Sequence, residues 1–225
     1  MYRLIFKLLL LLATLAISLA QYELTERQKW QSLDSHNKFR NNLGWKDRKG
    51  KKFSGYAVNM KRLKWDDELE KSAQETANLC TKEHIIPMVG VNWKLMDLFG
   101  GHVGENLYFG GGYKANRNVG NDFVAGWYEE IMFYDWHKHN CYPKNECGHL
   151  TQMLWDDTEF IGCAQQKCQT TYKNSKSPQT WTNYVCRYGP GGNWQGQKPF
   201  ETTQKYNKRC KHGLVPDDKY PRLCV

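Results

Sequence analysis

The sequence predicts an α+β layered domain stapled by disulfides. Three observations point there. Apolar residues at helical spacing come first, strand-like runs come late, and eight cysteines all follow an N-terminal leader.

The leader reads as a secretory signal. Arg3 and Lys7 give a positive start, Leu8 to Ile17 a short apolar run, and Ser18-Leu19-Ala20 a small-residue cleavage site, so 1–20 is removed and Gln21 begins the mature chain. A membrane anchor needs about 20 apolar residues, and no later run reaches that. The expectation is a soluble, secreted protein without a transmembrane anchor. The remaining chain, about 205 residues, suits one compact domain over 21–194 and a short basic, cysteine-containing extension over 195–225. Cysteines in an oxidising compartment imply up to four disulfides, and spacing alone leaves their connectivity open. Paired C-x-x-C spacing is absent, which disfavours a zinc framework. The net charge of +9 becomes +7 without Arg3 and Lys7. The excess lies in Lys46 to Lys52, Lys61 to Lys64 and Lys208 to Lys211. Such runs are usually a solvated face, or they draw the protein to anionic membranes or acidic glycans. No nucleic-acid motif is present, so nucleic acid is not an expected partner.

The elements follow in order. Thr25-Glu26-Arg27-Gln28 reads as a capping box opening a first helix, with Trp30, Leu33 and Phe39 on its apolar side. His36 and Arg40, four apart, share a face. Gly44 to Gly55 is a basic loop. Asp66 caps a second helix carrying Leu69, Ala73, Ala77 and Cys80 at intervals of about four. Pro87 to Gly101 reads as a loop, and Gly110-Gly111-Gly112 as a break. Asp122 opens a third helix carrying Phe123, Trp127, Ile131 and Tyr134. Cys141 to Cys147 closes a short loop. In the next stretch, Cys147 to Trp155, a histidine stands at the lip of an apolar run that must be buried, which fixes its ring. Strands are expected at Phe160 to Gln165 and Thr180 to Tyr188, joined by a polar loop, Thr170 to Gln179. Gly189-Pro190-Gly191-Gly192-Asn193 is a turn cluster.

Four short pieces line up in this order. They are His36-Asn37-Lys38-Phe39-Arg40, Gly104-Glu105-Asn106-Leu107, the stretch Cys147 to Trp155, and Cys186-Arg187-Tyr188-Gly189-Pro190-Gly191-Gly192-Asn193-Trp194. Together, behind a signal peptide, they resemble the CAP superfamily of cysteine-rich secretory proteins, insect venom antigens and plant pathogenesis-related proteins. The resemblance runs from about Thr25 to Trp194. It is close to the venom-allergen-like proteins of parasitic worms. It implies a three-layer α-β-α sandwich whose central cavity is lined by two histidines and two glutamates. Carried onto this chain, they are His84, four residues after Cys80, Glu105, Glu130 in Trp127-Tyr128-Glu129-Glu130-Ile131, and His149. His102 rivals His84 because it is nearer Glu105. Asn37, Arg40 and Asn106 fall where the family binds buried backbone. The resemblance also implies the bridges Cys80–Cys168 and Cys163–Cys186, leaving Cys141–Cys147 and Cys210–Cys224 for local loops. This chain departs from the pattern in having Leu150 after the central histidine. It also lacks a further bridge, with Val103 and Gly189 at both of its ends.

Two imidazoles with two carboxylates could hold a weakly bound divalent cation, zinc or magnesium, although no cofactor is required. Three functions compete. The resemblance implies lipid binding, of a sterol or a fatty acid, with Tyr128, Phe133 and Trp136 as contact aromatics. Aromatics at such spacing are otherwise core. Hydrolysis needs a nucleophile beside a base, and neither Thr151 nor Ser72 sits in a nucleophile motif, so no catalytic residue is expected. The third is a secreted ligand acting on host extracellular proteins.

Overall fold

The computed structural model describes residues 5, 22–43, 50, 55–85, 88, 90–136, 138–170 and 177–225. The signal segment with Gln21, most of the basic loop after Gly44, Pro87, and the centre of the polar loop after Thr170 lie outside these residues.

Helix α1 spans Glu26–Asn41. Thr25 and Gln28 form the expected capping box, each side chain bonding the other's backbone N–H. Its inner face departs in part from the expectation. Leu33 and Phe39 pack against the core as expected, but Trp30 is 55% exposed, and Gln28, Ser32, His36, Asn37 and Arg40 are buried. The apolar spacing is incomplete because much of this face is held by hydrogen bonds beside the packing of Leu33 and Phe39. Strand β1 (Tyr56–Ala57) and strand β2 (Lys64–Trp65) follow, then α2 over Asp67–Asn78. Asp66 caps α2 by accepting from the Leu69 N–H, as its sequence indicates. The expected loop from Pro87 to Gly101 contains a short helix, α3 (Trp93–Leu98), capped by Asn92 and anchored by buried Leu95. The piece from Gly104 is a strand, β3 (Gly104–Gly111).

The third helix begins at Gly120, two residues before Asp122. It is one run of changing pitch: a π turn over Gly120–Val124, α4 over Ala125–Tyr128, and a 3₁₀ segment over Glu129–Phe133. Phe123, Trp127 and Ile131 face inward as expected, and buried Tyr134 falls in the next strand. Strands β4 (Tyr134–Asp135) and β5 (Asn140–Cys141) make a small ribbon, and α5 spans Gly148–Met153. The long strands β6 (Phe160–Thr170) and β7 (Gln179–Gly189) exceed their expected lengths.

The central sheet has the order β2-β6-β7-β3, antiparallel except for the β2–β6 pair, with β3 at one edge. Alternation along β7 sends side chains to two layers. Tyr184, Cys186 and Tyr188 join the main core beneath α1 and the Gly120–Phe133 run. On the other face Val185 packs against Ala73 and Ala77 of α2. Asn183 donates to Ala77 O and Arg187 to Thr76 Oγ1 there. Helices therefore cover both faces, giving the α-β-α sandwich. Gly162 on β6 lets α2 sit directly on the sheet, because a Cβ there would strike the backbone at Leu69 and Glu70.

All eight cysteines pair as Cys80–Cys168, Cys141–Cys147, Cys163–Cys186 and Cys210–Cys224. The segment after Trp194 packs onto the domain. Strand β8 (Thr202–Thr203) pairs with β1, the Cys224 N–H donates to Met60 O, and Leu223 is fully buried. Lys219 and Tyr220 both donate to Asp34 of α1. Burial raises the Asp34 pKa, but the bonds from Lys219, Lys38 and Tyr220 hold it at about 2.

Candidate functional site: a histidine cleft on the edge strand

The site begins with the polar face of α1. His36 is fully buried, with Nδ1 2.7 Å from Ser32 O and Nε2 2.8 Å from the Tyr188 hydroxyl. A carbonyl only accepts, so Nδ1 carries the proton and Nε2 accepts from Tyr188. Burial pushes this imidazole down to about 4, consistent with a neutral ring. The Tyr188 oxygen in turn accepts from Asn106 Nδ2, which also donates to His149 O. Asn37 exchanges two hydrogen bonds with the backbone of Leu63. Arg40 donates to the carbonyls of Lys61, Met153, Trp155 and Thr158. It thereby ties α1 to the end of α5, the helix that carries His149.

The two histidines reach β3 from opposite layers. His84 follows the Cys80–Cys168 bridge, and its Nδ1 lies 2.6 Å from Glu105 Oε1. The other Glu105 oxygen lies 2.6 Å from Nη1 of Arg187, its register partner on β7. Burial lowers the Arg187 pKa, while Glu105 and Glu75 counter it. On the other side His149 Nδ1 lies 2.5 Å from Glu130 Oε1, and Glu130 Oε2 accepts from the Leu150 N–H. The His149 ring stacks on Trp127, whose indole N–H donates to Leu107 O of β3. Each carboxylate thus accepts a hydrogen bond from the Nδ1–H, the tautomer that leaves Nε2 as the lone-pair nitrogen.

His84 and His149 line a cleft along the edge strand. One part, about 390 Å³, also holds Glu105, Asn106, Glu146 and Asn193. The other, about 620 Å³, continues past Glu130, Glu129, Tyr108 and Phe109. The structure thus brings His84, Glu105, Glu130 and His149 to one cleft. His102 stands apart, with Nε2 3.1 Å from Gly192 O and its ring against Trp194. Arg187 and Glu146 were not singled out from the sequence. Arg187 lies in the quoted Cys-Arg-Tyr piece, and only the strand register sets it opposite Glu105.

The metal fit is poor. Among the described residues no group of three or more His, Cys, Asp or Glu side chains is placed to hold an ion. Zinc sites use three or four protein ligands, and this cleft offers two free imidazole nitrogens. At most it suits a weakly held cation. The Thr151 hydroxyl on α5 lies 2.7 Å from Asn193 Oδ1 and 3.0 Å from Cys147 O, and Ser72 is buried on α2.

The expected lipid-contact aromatics belong largely to the interior. Tyr128 stacks on Phe39 at 4.1 Å and donates to Asn42 O, Trp136 packs against Tyr134 and Phe200, and Phe133 is half-buried against the core. Beside them lies a separate groove of about 660 Å³, between the β4–β5 ribbon and the segment from Trp194 to Pro199. Tyr134, Trp155, Trp194, Pro199 and the Cys141–Cys147 bridge supply its apolar surface.

Comparison with known proteins agrees with this geometry. Residues 33–188 match the CAP profile, described as the cysteine-rich secretory protein family. Scoloptoxin SSD552 of Scolopendra dehaani is 32% identical over 206 residues, covering 89% of this chain and 85% of its own. Peptidase inhibitor 16 of Mus musculus is 32% identical over 181 residues, or 79% of this chain, but the match spans only 30% of that protein. Two human relatives are likewise matched over 60% and 40% of their lengths. The solved structure of BmVAL-1 superposes with a TM-score of 0.65 at 28% identity, covering 89% of this chain and 95% of its own. With a family profile spanning most of the chain and an α-β-α sandwich to match, this protein belongs to the CAP family of cysteine-rich secretory proteins.

Proposed function

We propose that the protein is a secreted, non-enzymatic binding module that takes a sterol or a fatty acid. The groove between the β4–β5 ribbon and Pro199 carries the reading. Its volume of about 660 Å³ falls within the range of small-molecule sites, and Tyr134, Trp155 and Trp194 stand among its lining residues. Four disulfides and a chain whose described helices are none long and apolar enough to cross a membrane support a durable extracellular role. The histidine cleft supports the non-enzymatic part. Each imidazole is held at Nδ1 by a carboxylate, while the Thr151 hydroxyl lies against helix carbonyls and Asn193 instead of a ring nitrogen. A bound cation is not needed for this reading.

Lipid affinity comes from apolar area removed from water, about 25 cal/mol per Å², which polar cleft residues do not supply. The test is His84→Ala with His149→Ala, measuring labelled-cholesterol and labelled-palmitate binding beside ester and peptide hydrolysis. Lipid binding unchanged from wild type, with no turnover, is expected. Wild-type hydrolysis that disappears in the double variant would make the protein an enzyme. If folded wild type binds neither lipid, the function passes to a protein partner outside the cell.

A further inference from the structure

The basic runs of the sequence meet different surroundings in the fold. Lys61, Arg62 and Lys64 are ion-paired, with Asp157 and Glu159, with Asp217, and with Glu159 in turn. The C-terminal extension keeps more of its charge. Among the described residues its ion pairs are Arg62–Asp217, Lys198–Glu201 and Lys219–Asp34. They leave exposed Lys205, Lys211 and Arg222 without a carboxylate, against one acidic side chain of the extension, Asp218, likewise outside any ion pair.

The fold fixes each of the three cations by its backbone. The N–H of Lys205 donates to Thr203 Oγ1, that of Lys211 to Asn59 Oδ1, and that of Arg222 to Asn41 Oδ1. Two tyrosines link them. The Arg222 guanidinium lies 5.5 Å from the centre of the Tyr56 ring, and Tyr56 meets the ring of Tyr206, the neighbour of Lys205, edge-on at 5.1 Å. The buried Arg209 guanidinium sits 3.5 Å from the Tyr206 ring and donates to Tyr206 O and Pro221 O. Tyr206 is still 44% exposed, so it is a fixed ring at the surface. The β1–β8 pair and the Cys210–Cys224 bridge hold these segments together. The Lys46 to Lys52 run, outside the described residues, leads in sequence into Gly55, which lies against Thr203 and Gln204 beside Lys205.

We propose that β1 and the C-terminal extension form a binding surface for a sulfated glycosaminoglycan, with Lys205, Lys211 and Arg222 meeting its sulfates and Tyr206 one of its sugar rings. Cations held in advance at several points match a chain of repeating anions at little ordering cost. The guanidinium fork of Arg222 suits paired oxyanion oxygens, and an exposed tyrosine offers an apolar face to the C–H side of a sugar. A bilayer fits less well. The Tyr206 hydroxyl is tied to Pro221 O, and the helical part of the extension is a single 3₁₀ turn, Tyr206–Lys208, too short to lie along a membrane. This surface does not depend on the lipid reading.

The test uses a heparin octasaccharide, the same chain desulfated, and vesicles of phosphatidylserine with phosphatidylcholine, all on the secreted protein. One variant is Lys205→Gln with Lys211→Gln and Arg222→Gln. A second, Lys71→Gln with Lys94→Gln and Lys114→Gln, removes equal charge from exposed positions elsewhere. Circular dichroism checks the fold of both. Wild type should bind the sulfated chain and not the desulfated one. The first variant should bind it about tenfold more weakly at low salt. Its slope of log Kd against log salt should flatten by about 2, because each lost cation releases somewhat less than one counter-ion. The second variant should stay within about twofold of wild type, since distant surface charges are screened. Equal weakening in both variants would reduce the attraction to net charge and overturn the surface. Wild-type affinity in the first variant would do the same, as would equal binding of the desulfated chain. Vesicle binding by a wild type that ignores the octasaccharide would give the face to a membrane instead.

Discussion

Removing the guanidinium of Arg40 should be among the most damaging single changes in the chain. Its side chain is 1% exposed and donates to five main-chain carbonyls, of Lys61, Met153, Trp155, Asp156 and Thr158, at 2.7 to 3.4 Å. Burial lowers its pKa, to about 9, so the guanidinium stays charged at neutral pH and depends on those carbonyls for solvation. Arg40→Met leaves the carbonyls buried without donors. Each such loss costs roughly 1–3 kcal/mol, and water entering the vacated space recovers part of it. A net loss of about 4–5 kcal/mol is expected, a large share of the stability of an ordinary domain. With an m-value of about 2 kcal/mol per M, the urea midpoint should fall by about 2 M. Arg40→Lys, whose single ammonium reaches only some of the carbonyls, should lose about half as much. The assay is urea unfolding of the secreted protein with its disulfides intact, followed by tryptophan fluorescence. A midpoint for Arg40→Met within about 0.5 M of wild type would refute the reasoning, since this is about a quarter of the predicted shift. So would equal losses in both variants, because the argument rests on the number of donors.

Three further outcomes follow from the same geometry. Glu105→Gln strips buried Arg187 of its carboxylate and should cost about 3–5 kcal/mol, whereas Glu130→Gln, on the more open histidine pair, should cost about 1–2; thermal unfolding ranks them, and equal costs would contradict the burial argument. The His36 ring should stay neutral, protonated at Nδ1, down to about pH 5 in nitrogen-15 NMR, and a midpoint above 6 would be inconsistent with its burial. The linked stability change has a definite sign. The unfolded His36, near 6.5, binds a proton that the folded ring, near 4, refuses, so stability falls as pH drops through that window. Asp156, raised to about 6 by burial and Asp157, opposes this by gaining its proton in the folded state. In Asp156→Asn the His36 loss should therefore emerge, at about 2 kcal/mol between pH 7 and pH 4.5.

Much of the frame could be read from residues whose structural duty is local. The Thr25–Gln28 capping box, the Asp66 cap and the β-branched and aromatic runs of β6 and β7 act through neighbours in sequence. The elements that escaped depend on distant partners. Strand β3 opens with Gly104 and ends in glycines, and it is a strand because β7 supplies its hydrogen bonds. The inner face of α1 was read only in part, through Leu33 and Phe39, because its other fixed points are hydroxyls, amides and a guanidinium bonding to other segments, a pattern invisible to apolar periodicity. The histidine pair was reached through family resemblance. No spacing rule places His84 on Glu105 and His149 on Glu130 from opposite layers of a sheet. Trp136 and Tyr128 read as core by their spacing and as ligand contacts only through the resemblance, and Phe200 and Phe39 occupy their faces as core packing requires.

The stretch from Cys147 to Trp155 shows why site and scaffold are hard to separate here. Its histidine lines the cleft, Leu150, Met153 and Leu154 enter the core, and Gln152 Oε1 accepts from the Gly192 N–H. The carbonyls of Met153 and Trp155 bind Arg40, and Thr151 borders the neighbouring groove. A substitution in the cleft therefore disturbs bonds that hold the sandwich, and lost binding there would not by itself separate a ligand contact from a loosened fold. Lys138 and Lys198, which line that groove, lie outside this web. Among the described residues, Lys138 has its backbone N–H on Asp135, and the Lys198 ammonium lies 4.0 Å from exposed Glu201. A change in ligand affinity on replacing their ammonium groups reports on the ligand, because little else in the molecule depends on them.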